Sequence, residues 1–115
     1  MLDKINRIKK KKDFETIFKN SKSFKNNLFI FKTVKNNLGL SRFGFVVSQK
    51  VSKKATIRNK VRRRLAEIIR SEIKNIKTGT DAVLIALPGI EKKEFLELRE
   101  AVNSTLIKVK LKINT

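Results

Sequence analysis

The sequence predicts an α+β domain in which helices cover one small sheet, in the order αββαβα. Apolar runs rich in β-branched and aromatic residues recur at 28–34, 42–48 and 82–87, and helix-period stripes separate or flank them. A strand, a helix and a third strand follow one another between 42 and 87, which points to a crossover unit within one sheet. At 115 residues and 40% hydrophobic content the chain suits one core and one domain, 1–115, whose residues 1–12 form a basic arm.

In the arm, "MLDKINRIKKKK", Ile5 and Ile8 are the apolar anchors. In "KDFETIFKN" Asp13 is placed to cap a short helix with Phe14, Ile17 and Phe18 on one face, and the Asn, Ser and Lys residues of 21–27 end it. "LFIFKTV" at 28–34 reads as a strand that puts Phe29 and Phe31 on one face and Leu28, Ile30 and Val34 on the other. The turn residues "NNLG" make "RFGFVVS" at 42–48 its antiparallel partner, with Phe43, Phe45 and Val47 sharing a face. After the loop "QKVSKK", which supplies Lys50, Lys53 and Lys54, Thr56 is positioned to cap a helix whose dry stripe is Ile57, Val61, Leu65, Ile68 and Ile69. A buried-type strand at 82–87 stops at Pro88 and Gly89. A last helix, roughly 91–110, puts Phe95, Leu98, Val102 and Leu106 on one face, and its early acids and late lysines suit the helix dipole.

Charge narrows the partners. Twenty-nine Lys and Arg against ten Asp and Glu give +19, a self-repulsion best relieved by a polyanion. Nucleic acid is the leading candidate. A membrane surface is the second, but no run nears the roughly 18 consecutive apolar residues of a spanning helix and the first residues lack a signal-peptide core, so a cytoplasmic location is expected. With no Cys and no His, disulfides, structural zinc and histidine acid–base catalysis are excluded. Residues 16–66 hold fourteen Lys and Arg and no acid, whereas a nuclease acting alone groups acids around metal ions in its cleft.

The sharpest feature is "ATIRNKVRRRLAEIIR" at 55–70. Arg58, Lys60, Arg62, Arg63 and Arg64 crowd the N-terminal turns, where the dipole disfavours cations. A solvated charged face is the plain reading, yet no acid stands three or four residues from Arg58, Asn59, Lys60 or Arg62. Arg is also used in a chain that otherwise prefers Lys, and its planar fork suits phosphate, so the helix reads as RNA-facing. The phenylalanines are ambiguous. Periodicity allows Phe31 to be a wet platform on which a base stacks or a core residue under the last helix, and the same choice holds for Phe14 and Phe18.

"RNKVRR" at 58–63 resembles the RNR motif, RNxxKR in its usual form, of the bacterial ribonuclease P protein subunit. "RIKKKKDFETIF" at 7–18, "RFGFVVSQKVSKKATIRN" at 42–59 and "DAVLIALP" at 81–88 resemble the family's arm and first helix, second strand and third strand, in the same order. The resemblance implies a compact α/β sandwich with a left-handed βαβ crossover, similar to the second domain of a small-subunit ribosomal protein. It implies a noncatalytic partner of a catalytic RNA, the complex removing the 5′ leader of precursor tRNA by hydrolysis dependent on Mg2+ held mainly by the RNA. It also implies that Arg58, Asn59, Arg62 and Arg63 face the RNA and that Phe14, Phe18 and Phe31 line a leader cleft. Neither membrane nor DNA is an expected partner. Arg62 replaces a usual Lys, Gln49 stands where Lys is common, Leu87 where Arg often precedes the proline, and Phe31 where Tyr is frequent. The competing readings are a ribosomal or chaperone-like RNA-binding protein of similar fold and a metal-dependent nuclease acting alone.

Overall fold

A computed structural model describes residues 2–113; the remaining ends of the expected domain, residue 1 and residues 114–115, lie outside the described residues. The elements are α1 (Lys11–Asn20), β1 (Lys22–Lys25), β2 (Phe29–Lys35), β3 (Arg42–Val46), α2 (Ala55–Glu72), β4 (Thr80–Ala86) and α3 (Phe95–Lys108). The order is therefore αβββαβα. The added strand falls in the polar stretch expected only to end the first helix: Lys22, Ser23 and Lys25 are exposed and Phe24 alone turns inward. A lysine-flanked edge strand carries almost no hydrophobic signal, but its charges discourage pairing with another chain. Asn26 makes the hairpin, its side-chain oxygen accepting from the amides of Leu28 and Phe29 at 2.8 and 2.9 Å.

The sheet order is β1-β2-β4-β3, so the expected hairpin between the second and third strands does not form. β4 lies between them, antiparallel to β2 and parallel to β3, with Phe31 and Phe45 both opposite Leu84. Ala82, Val83 and Leu84 are wholly buried, and a strand apolar on both faces gains most in the middle of a sheet. The 36–41 connection crosses the start of β4 and is fastened there. Asn36 donates to Asp81 at 2.7 Å, and the Ser41 hydroxyl donates to the Lys77 carbonyl at 2.6 Å. β3, α2 and β4 form the expected crossover unit.

α2 and α3 cover one face of the sheet. Phe29, Phe31, Phe43 and Leu84 pack there in one cluster with Leu65, Ile68 and Ile69 of α2 and Leu98, Val102 and Leu106 of α3. The dry stripe expected for α2 is thus observed, with Ile57 only half buried. α1 covers the other face through Ile17, which meets Val83 and Ile8 with Val34, Val46 and Ile85 around them. Asp13 is not its cap. The helix starts two residues earlier, and Asp13 in the first turn instead reaches Arg42 at 3.3 Å. Arg42 also makes a double hydrogen bond to Asp81, at 2.9 and 2.6 Å, which raises its pKa.

The described part of the arm closes the exposed edge of β3: Ile8 donates to the Phe43 carbonyl at 3.0 Å and Asn6 to that of Ser41 at 2.8 Å. Its anchors are Leu2 and Ile8, while Ile5 points to solvent, because pairing beside β3 sets which side chains turn inward. At the other end Lys110 adopts φ 62°, turning the chain so that Leu111 is buried and accepts from the Lys77 amide at 2.8 Å. Lys112 then meets Glu72 at 2.8 Å.

Phe31→Ala is expected to lower stability by about 3–5 kcal/mol, the usual cost of emptying a buried phenylalanine site, as read from denaturant unfolding. Glu72→Gln tests the C-terminal clasp. The Lys112 hydrogen bond, aided by Asn75, holds the Glu72 pKa below the ordinary carboxylate value. Its stabilisation is complete above that ordinary value and is lost as pH falls through the lowered one. The variant should be less stable by about 1–3 kcal/mol at neutral pH, with the gap to the parent closing on acidification.

Candidate nucleic-acid interface

α2 begins at Ala55 with Lys54 as its cap residue, no side chain bonds its first amides, and its first turn has no acid. Thr56 lies inside the helix instead of capping it. The approach is shaped by Ser48 and Ser52, whose hydroxyls accept from the amides of Lys50 and Lys54 at 3.3 and 3.2 Å, and by Val51, which is buried. That anchor leaves Lys50, Lys53 and Lys54 exposed together. Arg58 turns back on this loop, its Nη1 donating to the carbonyls of Ser52 and Lys53 at 3.0 and 2.9 Å. Carbonyls just before a helix lack ladder partners, so part of this arginine serves the scaffold.

The outward residues divide along two sides of the helix. Arg62 donates to the Asn59 side chain, and these two, with Arg63, look toward α1 and the arm. Arg64 leans the other way and donates to the Lys93 carbonyl at 3.3 Å, ahead of α3, with Lys60 on the same side. Lys60 and Arg63 are exposed and have no intramolecular partner among the described residues. Glu67, the nearest acid on the helix, is bonded to Arg70 at 2.6 Å, which lowers its pKa.

On the α1 side lies a cleft of about 460 Å³. Asn59, Arg62 and Arg63 form one wall, and Ile8 and Phe14 the other. Gly44 explains the fit of that second wall: a Cβ there would stand 2.7 Å from the Phe14 ring, so the bare backbone lets the ring lie against β3. Arg7 lines the same cleft, and its Nε is buried without a hydrogen-bond partner among the described residues. The cleft is therefore part apolar and part rich in donors, a combination that accepts a flat ring and an anionic group together.

Of the three aromatic residues assigned to a leader cleft, the structure places one in this cavity. Phe18 is 46% exposed on α1 but does not line it. Phe31 is a correction: it is 1% exposed and belongs to the core between the sheet and α2 and α3, on the face opposite α1. Pairing fixes this, because Phe31 faces Leu84, which points to that core. The β2 residues sharing the α1 side are Ile30, Lys32 and Val34. Sequence reasoning passed over Arg7, which the arm's run of cations conceals, and Gly44, whose presence inside a strand of bulky residues was a usable signal.

Among the described residues no group of three or more carboxylates comes together. No helix among them is long and apolar enough to cross a membrane.

A family model described as ribonuclease P matches residues 2–110. The ribonuclease P protein component of a Thermoanaerobacter species is 36% identical over 111 residues, covering 96% of this chain and 95% of the relative. That of Alkaliphilus metalliredigens is 36% identical over 106 residues, covering 92% and 95%. Among solved structures, the RNase P protein of Staphylococcus aureus superposes with a TM-score of 0.85 at 29% identity, covering 94% of this chain and 98% of the other. That of Thermotoga maritima gives 0.81 at 34% identity, covering 95% and 98%. With the family model, the relatives' identity over nearly the whole chain and the fold in agreement, the chain belongs to the family of ribonuclease P protein components.

Proposed function

We propose that this chain, the noncatalytic protein component of the ribonuclease P endoribonuclease, holds the enzyme's RNA against the outer side of α2 and guides the unpaired 5′ leader of precursor tRNA through the cleft between α2, the arm and α1. Hydrolysis in this reading is magnesium-dependent, with the ions held mainly by RNA oxygens. The observation that carries it is the cleft itself, where the Phe14 ring and the donors Arg7, Asn59, Arg62 and Arg63 face one space. A single strand needs both, since its phosphates seek cations and its bases seek aromatic or apolar faces. Lys50, Lys53 and Lys54 extend the positive surface ahead of α2, where a phosphate backbone would meet them. The expected place of work is the cytoplasm.

Reconstitution tests the whole reading: adding the chain to a ribonuclease P RNA should lower the magnesium concentration needed to cleave precursor tRNA. No such change would overturn it. Affinity for the RNA should fall steeply with salt, and Arg63→Ala should flatten the log–log slope by about 0.7–0.9, the contribution of one phosphate contact, while leaving the melting temperature nearly unchanged. Phe14→Ala should weaken precursor tRNA by about 1–3 kcal/mol and mature tRNA hardly at all, measured as equilibrium binding to the reconstituted complex.

A further inference from the structure

A second groove, of about 340 Å³, lies on the far side of α2, between Lys60, Arg63, Arg64 and Glu67 of that helix and Phe95, the first residue of α3. By its spacing Phe95 shares a face of the last helix with Leu98, Val102 and Leu106, which are buried. It is instead 40% exposed, because the stripe starts at Leu98 and the first turn of α3 extends beyond the core. Around the ring the polar groups are mostly donors. Lys60 and Arg63 are free of partners among the described residues, and Arg64 has only Nη1 committed, to the Lys93 carbonyl. The charge of Glu67 is engaged by Arg70, so the groove stays positive.

Charge and shape together select an occupant. A second copy of a +19 chain would bring like charge, and an apolar protein surface would bury Lys60 and Arg63 without partners. A bare polyphosphate would satisfy the cations and leave the ring in water. A single RNA strand supplies phosphates for the cations and a flat base for the phenyl face. We infer that the groove between α2 and α3 is a second single-stranded RNA subsite, in which an unpaired base stacks on Phe95 while Lys60, Arg63 and Arg64 hold the flanking phosphates. This rests on the RNA-binding reading above and extends it. Arg63 lines both the cleft and this groove, so one strand can pass over the top of α2 and be held on both sides.

The chain has no Trp and no Tyr, so Phe95→Trp installs a single reporter. Titrating this full-length variant with a short oligoadenylate should quench its emission, with the same midpoint as the anisotropy of the labelled oligonucleotide. Inorganic polyphosphate, which has no bases, should bind without quenching. Phe95→Ala and Phe95→Leu should each weaken the oligonucleotide roughly tenfold with an unchanged melting temperature, and the neighbouring Leu96→Ala should not. RNA binding without quenching, equal quenching by polyphosphate, or parental affinity in Phe95→Leu would overturn the assignment. An emission shift that follows protein concentration in the absence of RNA would also overturn it, giving the groove to a second copy. Failure here is distinguishable from failure of the broader reading: parental chain that still lowers the magnesium requirement of a ribonuclease P RNA leaves that reading standing.

Discussion

The double hydrogen bond between Arg42 and Asp81 organises the working side of this molecule. The two residues are the first matched pair of the parallel β3–β4 ladder, and the Asp81 side chain is almost fully buried. A buried carboxylate is tolerable only with a partner of this geometry, and removing the arginine would strand it. Arg42 also reaches Asp13 and so holds the first turn of α1, while Asn36 donates to Asp81 and holds the crossing loop. Placing α1 there places Phe14 over Gly44. The cleft is thus a consequence of a charge pair on the opposite side of β3 from the core.

The same economy governs three further acids. Glu72 engages Lys112, Glu67 engages Arg70 and Glu97 lies 3.8 Å from Lys93, so the acids in these pairs lie at joints and along later helices. The exposed pairs contribute little to stability, whereas the buried ones join segments distant in sequence. What they leave behind is α2, whose first turns carry cations with no acid to answer them. Folding tolerates this because helix stability comes from packing Val61, Leu65, Ile68 and Ile69 into the core, a contribution far larger than the few tenths of a kcal/mol at stake in each dipole contact.

Much of this was legible in the sequence. The stripe of α2, the buried run of β4 and the approach at 42–59 have strong periodicity, and their burial follows it. Strand order was not legible. "NNLG" is chemically a turn, and only the competition for the sheet centre, won by β4 because Ala82, Val83 and Leu84 are apolar on both faces, shows that the 36–41 segment must cross over. Phe31 follows from the same cause, since alternation says which residues share a face but not which face a helix will cover. Arg58 was legible as a cation and not as a clamp, because its acceptors are backbone carbonyls that no pattern of side chains reveals.

The packing of α2 also explains why its cations fall into two groups. With the 3.6-residue repeat, burying Val61, Leu65 and Ile68 sends Asn59 and Arg62 to one flank and Lys60 and Arg64 to the other, with Arg63 between them. The flanks are separated by one helix diameter, about 10 Å, which a short unpaired stretch of RNA can bridge. Each flank has its own phenylalanine, Phe14 from α1 and Phe95 from α3, supplied by helices on opposite faces of the sheet. A helix lying at the edge where those two layers meet can draw an aromatic from each. Centred over one layer, it would meet only the ring on its own side.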